Sequence, residues 1–420
     1  MKFQMMSALL VGLMTAVANA GAQTGEPEWP EYRGPARTGT AVAKGLPTAW
    51  SETSNVVWKT PIHGRGWSTP VVYGQRLWLT TASEDGRAMS VVCLDRQSGK
   101  VLLDKVLFQP TSPGDFNPTN SWASPSPVAG RGRVVVHFGT HGTACFDNKT
   151  LAQLWQRTDL NCNHMVGPGS SPLLAGDRLY LTYDGTDTQR TYCLNLATGA
   201  TLWMADRTSG PAASVAFDRR KCFNTPVLAT YQGKQQLICQ AAMGVFAYDP
   251  ATGQEIWRVR HGGYSNASRT LVDAERVYVS TGFDSSHMLA IRLGGSGDVT
   301  ATHVAWELDR GMPSKPSPIL LGDRILVIAD SGTLTCLEAA TGKTLYKERL
   351  TGTYSSSPIL ADDRIYLFSE QGRGYVLDPG PAFKVIAESE LPEGCMASPV
   401  AVGKTLFVRT KAAVYRLEAK

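Results

Sequence analysis

Eight side chains stand where an otherwise repetitive chain stops repeating. They are Arg65 and Trp67 in HGRGWSTP, Trp122 in NSWASPSP, His141 in HFGTHG, His164 in NHMVGPGSSP, Arg220 in DRRKCFNTP, Tyr264 in HGGYSNASR and Lys315 in MPSKPSP. Their chemistry points to binding. Flat aromatic rings offer stacking area, and the cations select an anionic or polyhydroxylic ligand. Each residue also has a plain structural role open to it. Trp67 and Trp122 can pack beneath their own loops. His137 and His141 flank a tight turn, where metal binding competes with turn hydrogen bonding, and His164 can serve as a base. Arg65, Arg219, Arg220 and Lys221 can hold a carboxylate or phosphate, or remain solvated rim charge. Asp184 and Asp187 in YDGTD read first as turn formers. The GGSG at Gly294–Gly297 looks like a phosphate loop, but no helix N-terminus follows to supply amides, so a hairpin tip is expected.

What must position these residues is a repeat. Pro318, Pro358 and Pro399 are spaced 40 and 41 residues apart, and each opens a unit of four short apolar runs separated by Gly, Asp and Asn turns. Alternation between such turns marks half-buried antiparallel strands. The first strand follows S-x-P, the second a Gly-Asp-Arg-like turn; the third ends near CLD, and the fourth follows x-T-G and contains a Trp. Complete copies begin near Thr69, Ser126, Ser171, Thr225, Arg269, Ser317 and Ser357. An eighth, ASPVAVGKTLFVRTKAAVYRLEAK, runs out after three strands, and NVVWKTPI at 55–62 is an orphan fourth strand. Four strands in about 40 residues is one propeller blade. The fold class expected is therefore all-β: an eight-bladed propeller over residues 55–420, its last blade closed by the N-terminal strand. An irregular arm at 21–54 precedes it. Chain direction puts the a–b and c–d turns on one face and the d–a and b–c loops on the other, so the eight candidate residues converge at one channel mouth.

The units resemble the PQQ-like (quinoprotein-type) β-propeller repeat, whose hallmark is A-x-D-x-x-T-G-K-x-x-W. YDPATGQEIW and LNLATGATLW match it well, LEAATGKTLY nearly so, and IRLGGSGDVTATHVAW and LDPGPAFKVI depart further. The leader WPEYRGPARTG resembles the arm preceding propellers in exported bacterial proteins of this repeat class. The resemblance implies the fold, with the turn Gly as a structural residue and the Trp packed between blades. For function it implies one of two things. The first is a non-catalytic binding propeller, similar to the propeller lipoprotein of outer-membrane assembly machinery, which takes a protein partner or a small-molecule or carbohydrate ligand. The second is a quinoprotein dehydrogenase that oxidises an alcohol or sugar with PQQ and calcium. Such enzymes, as the resemblance implies, use a vicinal-Cys disulfide and a Glu-Asn-Asp calcium set. The chain has no adjacent Cys pair and no such set that can be placed, so binding without cofactor or metal is the expectation.

Composition bounds the rest. The chain is 43% hydrophobic and 18% charged, with 41 Gly and 24 Pro, an ordinary globular balance that favours turns over helices. A net charge of +5 argues against nucleic acid as the partner. MKFQMMSALLVGLMTAVANA has the layout of a secretory signal, residues 1–20, cleaved after Ala20. With no Cys at that point and no other apolar run long enough to span a bilayer, a soluble periplasmic or secreted monomer is expected. Four of the eight Cys (Cys93, Cys145, Cys193, Cys336) fall at one repeated strand position and read as core packing. The Cys set is expected to be mostly reduced and buried; Cys162 and Cys222, in adjacent blade links, are the pair that could be bridged.

Overall fold

The computed structural model describes residues 28–284 and 286–420, so the expected leader lies outside the described residues. Eight antiparallel sheets of four strands follow one another around a ring, each in the order a–b–c–d. Blade 1 runs Val71–Tyr73, Arg76–Ala82, Met89–Asp95 and Val101–Phe108. Blades 2 to 7 repeat that order from first strands at Val128–Gly130, Leu173–Ala175, Val227–Tyr231, Leu271–Val272, Ile319–Leu321 and Ile359–Ala361. Blade 8 takes Val400–Val402, Thr405–Arg409 and Ala413–Leu417 from the end of the chain and its outer strand, Val56–Pro61, from the beginning. Val56 pairs with Leu417 and Pro61 with Ala413, and Ile62 extends the ladder by donating to the Ala412 carbonyl at 2.8 Å. The orphan strand thus closes the ring.

Alternating burial, expected of every strand, is clear in outer strands such as Val385–Glu390 and is lost in the middle ones. The b strands (Arg324–Ile328, for example) are buried along nearly their whole length. The reason is that a middle strand packs a neighbouring blade on each face. Leu173, Tyr180 and Cys193 of blade 3, for instance, meet Leu237, Cys239 and Phe246 of blade 4. All eight Cys are buried and free, Cys162 and Cys222 included.

Two devices lock blade to blade. On the c–d face, the outer-strand Trp of one blade caps the turn of the next. Trp58, Trp155, Trp203 and Trp306 donate their indole N–H to the carbonyls of Arg96, Leu196, Pro250 and Ala339, at 2.9–3.3 Å. Gly253 shows why that turn needs glycine: its φ is +75°, and a Cβ there would stand 2.5 Å from the Trp203 ring. Around the channel, the Ser or Thr that opens each a strand accepts the backbone N–H of its counterpart one blade earlier. Thr69 donates to Ser126, Ser126 to Ser171, Ser171 to Thr225, Arg269 to Ser317, Ser317 to Ser357, Ser357 to Ser398 and Ser398 to Thr69, all at 2.8–3.3 Å. The ring has one gap, between Thr225 and Arg269, because Arg269 brings no hydroxyl.

That exception anchors the arm. Trp29–Gly39 crosses the channel on the a–b turn face and bonds to successive inner strands. Trp29 pairs with Val72, Ala129 donates to the Pro30 carbonyl, and Leu360 donates to that of Gly39. Arg37 reaches the Leu174 carbonyl, and Thr40–Ala41 adds a parallel strand to blade 7. Trp29, Glu31 and Arg33 are buried. Arg269 holds the segment through Glu31 Oε2 (3.1 Å) and the Tyr32 carbonyl, and is itself tied to the entry of blade 4 through the Pro226 carbonyl (3.0 Å). The residues placed ahead of the ring therefore plug its centre.

Candidate functional site

With one end of the channel filled by the arm, the other is a cavity of about 720 Å³ whose floor is Tyr32. Every other lining residue comes from a d–a or b–c loop, as chain direction requires. The walls are aromatic and apolar: Trp67, Phe223, Tyr264, Phe283 and Met396. Phe283 is 57% exposed, and Phe217 on the neighbouring loop is 63% exposed. Beneath them lie the hydroxyls of Thr69, Ser126, Ser171, Thr225 and Ser398, while the Tyr32 hydroxyl caps Ser317 (3.0 Å) and Ser357 (3.1 Å).

Both lysines of the mouth are already engaged. Lys315 Nζ lies 3.0 Å from Glu370 and 3.6 Å from Asp330. Burial alone would raise the pKa of Glu370. Bonds from Ser355 and Lys315 outweigh it, so the carboxyl is held below its ordinary value. Lys221 donates to the Asp218 carbonyl and lies 5.3 Å above the Tyr264 ring. Tyr264 in turn donates to Asp284 Oδ2 at 2.9 Å.

Of the eight residues singled out by sequence, Trp67, Tyr264 and Lys315 line this cavity. Arg65 lies in an adjoining recess of about 370 Å³ with Glu84, Glu370 and Lys411, its guanidinium 5.1 Å from Trp67 and 5.0 Å from Phe116. The other four lie outside both. Trp122 is buried under its own loop, its N–H on the Pro113 carbonyl and its ring 4.1 Å from Phe116. Arg220 ties down its loop through the Val215 and Ala213 carbonyls. Lys221, one residue later, is the one that reaches the cavity. His141 ends a short turn and has a pKa lowered by burial. His164 accepts the Thr140 N–H at 3.1 Å and lies 3.5 Å from the Cys162 sulfur. Burial pushes that imidazole down to about 4 and the thiol well up. Both therefore rest neutral, the opposite of a thiolate–imidazolium pair. The sequence reading missed Tyr32, Phe223 and Phe283. Phe223 follows Lys221 by two residues in the same link, and a two-residue alternation from Lys221 could have found it.

Among the described residues, no three His, Cys, Asp or Glu side chains gather as a metal site would need.

The profile of the family described as outer membrane protein assembly factor BamB matches residues 48–243 and 241–382. The chain belongs to this family. A curated relative, outer membrane protein assembly factor BamB of Legionella pneumophila (strain Paris), is 27% identical over 210 residues, 48% of this chain. The match spans 49% of that relative's length, about half of it. Among solved structures, BamB from Moraxella catarrhalis superposes with a TM-score of 0.54 at 12% identity, covering 86% of this chain and 100% of that one. Quinohemoprotein alcohol dehydrogenase from Comamonas testosteroni gives 0.67 at 10% identity, covering 94% of this chain and 81% of the other. At such identities these two likenesses concern the fold alone.

Proposed function

We propose that the protein is a non-catalytic binding propeller that holds a segment of a partner protein in the cavity at its d–a mouth, as part of outer-membrane assembly. Family membership supports the class of role. The observation that carries it is the cavity itself: a concave site walled by Trp67, Phe223, Tyr264 and Phe283, in which Lys315 is paired with Glu370 and Asp330. Trp67 and Tyr264 would supply the stacking area, and Lys315 and Arg65 the rim charge. On this reading the chain is exported, its leader is removed after Ala20, and it works as a monomer in the periplasm or at the outer membrane. No helix among the described residues is long and apolar enough to cross a membrane.

A photo-crosslinking residue introduced at Phe283 should capture a protein partner in the cell envelope. Trp67→Ala should reduce that adduct about tenfold or more while leaving the melting temperature nearly unchanged. Purified mature protein that retained PQQ with calcium and oxidised alcohols or sugars would overturn the proposal.

A further inference from the structure

We propose that the cavity floor receives the free C-terminal carboxylate of an extended polypeptide, an inference that rests on the binding role proposed above. Three independent features meet there.

The first is that the channel is a dead end. The arm fills it at the level of Tyr32, so an extended chain entering from the mouth must terminate at the floor or double back.

The second is an array of donors. The oxygens of Thr69, Ser126, Ser171, Thr225 and Ser398 each accept a backbone N–H from the adjacent blade, which orients every hydroxyl. All five side chains are buried and all five line the cavity. Among the described residues their O–H hydrogens find no acceptor, whereas Ser317 and Ser357 are engaged by Tyr32. The floor therefore presents hydroxyl donors and calls for an acceptor.

The third is charge. Arg33, next to Tyr32 in the arm, bonds among the described residues only to the Thr38 and Pro318 carbonyls, with one guanidinium nitrogen unpartnered. Arg409, bonded to the residue before Thr69, has among the described residues only Ser68 and the Thr80 carbonyl as partners. Neither has a carboxylate partner among the described residues. Burial lowers them to about 10 and about 9, so both stay cationic at neutral pH. Arg269 and Arg37 share the single Glu31, which leaves the region positive. Buried cations without a counter-charge favour an incoming anion. An ammonium terminus would set donors against donors and charge against like charge. Trp67, Phe223, Tyr264 and Phe283 would flank the last side chains, favouring apolar or aromatic ones.

The test uses an N-terminally fluorescein-labelled hexapeptide library with apolar and aromatic positions, made once as free acids and once as C-terminal amides. Both are titrated against the unaltered mature protein by fluorescence anisotropy. The free acids should bind about tenfold or more tighter than the amides, the preference shrinking with salt, because the lost contacts are charge-assisted. Thr69→Val with Thr225→Val should erase most of the preference. These residues also latch blades together, so the melting temperature is read alongside, and the acid–amide comparison needs no variant. Equal affinity for acid and amide, or no binding of either by the folded protein, would overturn the inference. Displacement of the peptide by galacturonic acid at similar concentration would reassign the site to an acidic sugar. The Phe283 crosslink distinguishes these failures from failure of the partner-binding role, since an internal segment held at the rim still gives an adduct.

Discussion

Replacing Arg269 with serine would complete the hydroxyl ring and at the same time cut the arm loose, so the substitution weighs one device against the other. The guanidinium is 1% exposed and bonds to Glu31, Tyr32 and Pro226. Removing one partner of a buried ion pair costs about 3–5 kcal/mol. Glu31 keeps Arg37 at 2.6 Å, which places this case at the low end. The new hydroxyl can accept the Thr225 N–H, a gain of about 1 kcal/mol. The net loss is then about 2 kcal/mol, and it falls on the arm rather than on the blades. An opening equilibrium shifted by that amount rises about thirtyfold. Hydrogen exchange should therefore accelerate by that factor in Tyr32–Gly39 while the amide of Thr225 becomes more protected, and trypsin should cut at Arg37 or Lys44 in the folded protein. Unchanged exchange across the arm, or a higher melting temperature, would refute the assignment of Arg269 as its anchor.

Three further expectations follow from the same geometry. Gly253→Ala should lower the urea midpoint, since left-handed backbone alone costs about 1–2 kcal/mol and the new methyl also displaces Trp203; binding at the opposite mouth should be unaffected. His137 is buried against Thr143 Oγ1 at 2.8 Å, and burial pushes it down to about 3. Below pH 6.5 the unfolded chain takes up a proton that the folded one refuses, so the stability it contributes is present above pH 6.5 and is lost as pH falls toward 3. By pH 5 the loss approaches roughly 2 kcal/mol, which His137→Asn should remove from the pH dependence of the urea midpoint. Finally, the folded protein should react with no maleimide, and the denatured chain should take up eight, because every Cys is free, buried and raised in pKa.

Much of the fold was legible because the repeat writes the same physics eight times. The spacing of Pro318, Pro358 and Pro399, the x-T-G turns and the orphan NVVWKTPI determine blade count, face and closure without any tertiary information. The site was legible only by face. Trp122 and Trp67 look alike in sequence, yet one packs under its loop and the other opens onto the cavity. Arg220 and Lys221 are adjacent in one link, and only Lys221 shares the phase of Phe223 and Thr225 that faces the cavity. The plug was invisible for a different reason. Trp29, Glu31, Arg33 and Arg37 each meet a different blade through one or two contacts, and such contacts leave no period. Arg269 did carry a signal, as the one blade opening without Ser or Thr, but its meaning depends on Glu31, 238 residues away.

The pairing of Val56–Pro61 with Ala413–Leu417 also sets a clock. The strand Val56–Pro61 has no partner until Ala413–Leu417, some 350 residues further along, has been made, so the closing step waits for that strand. Bringing those ends together across some 360 residues costs roughly 5 kcal/mol of chain entropy, which no local hairpin offsets beforehand. Until then the outer edge of the last blade stands open to any other strand, including the same strand of a second chain. The time between first strand and last is thus the interval in which this molecule is exposed to exchanging strands with its neighbours. Slower elongation lengthens that interval, and faster association of the first seven blades does nothing to shorten it.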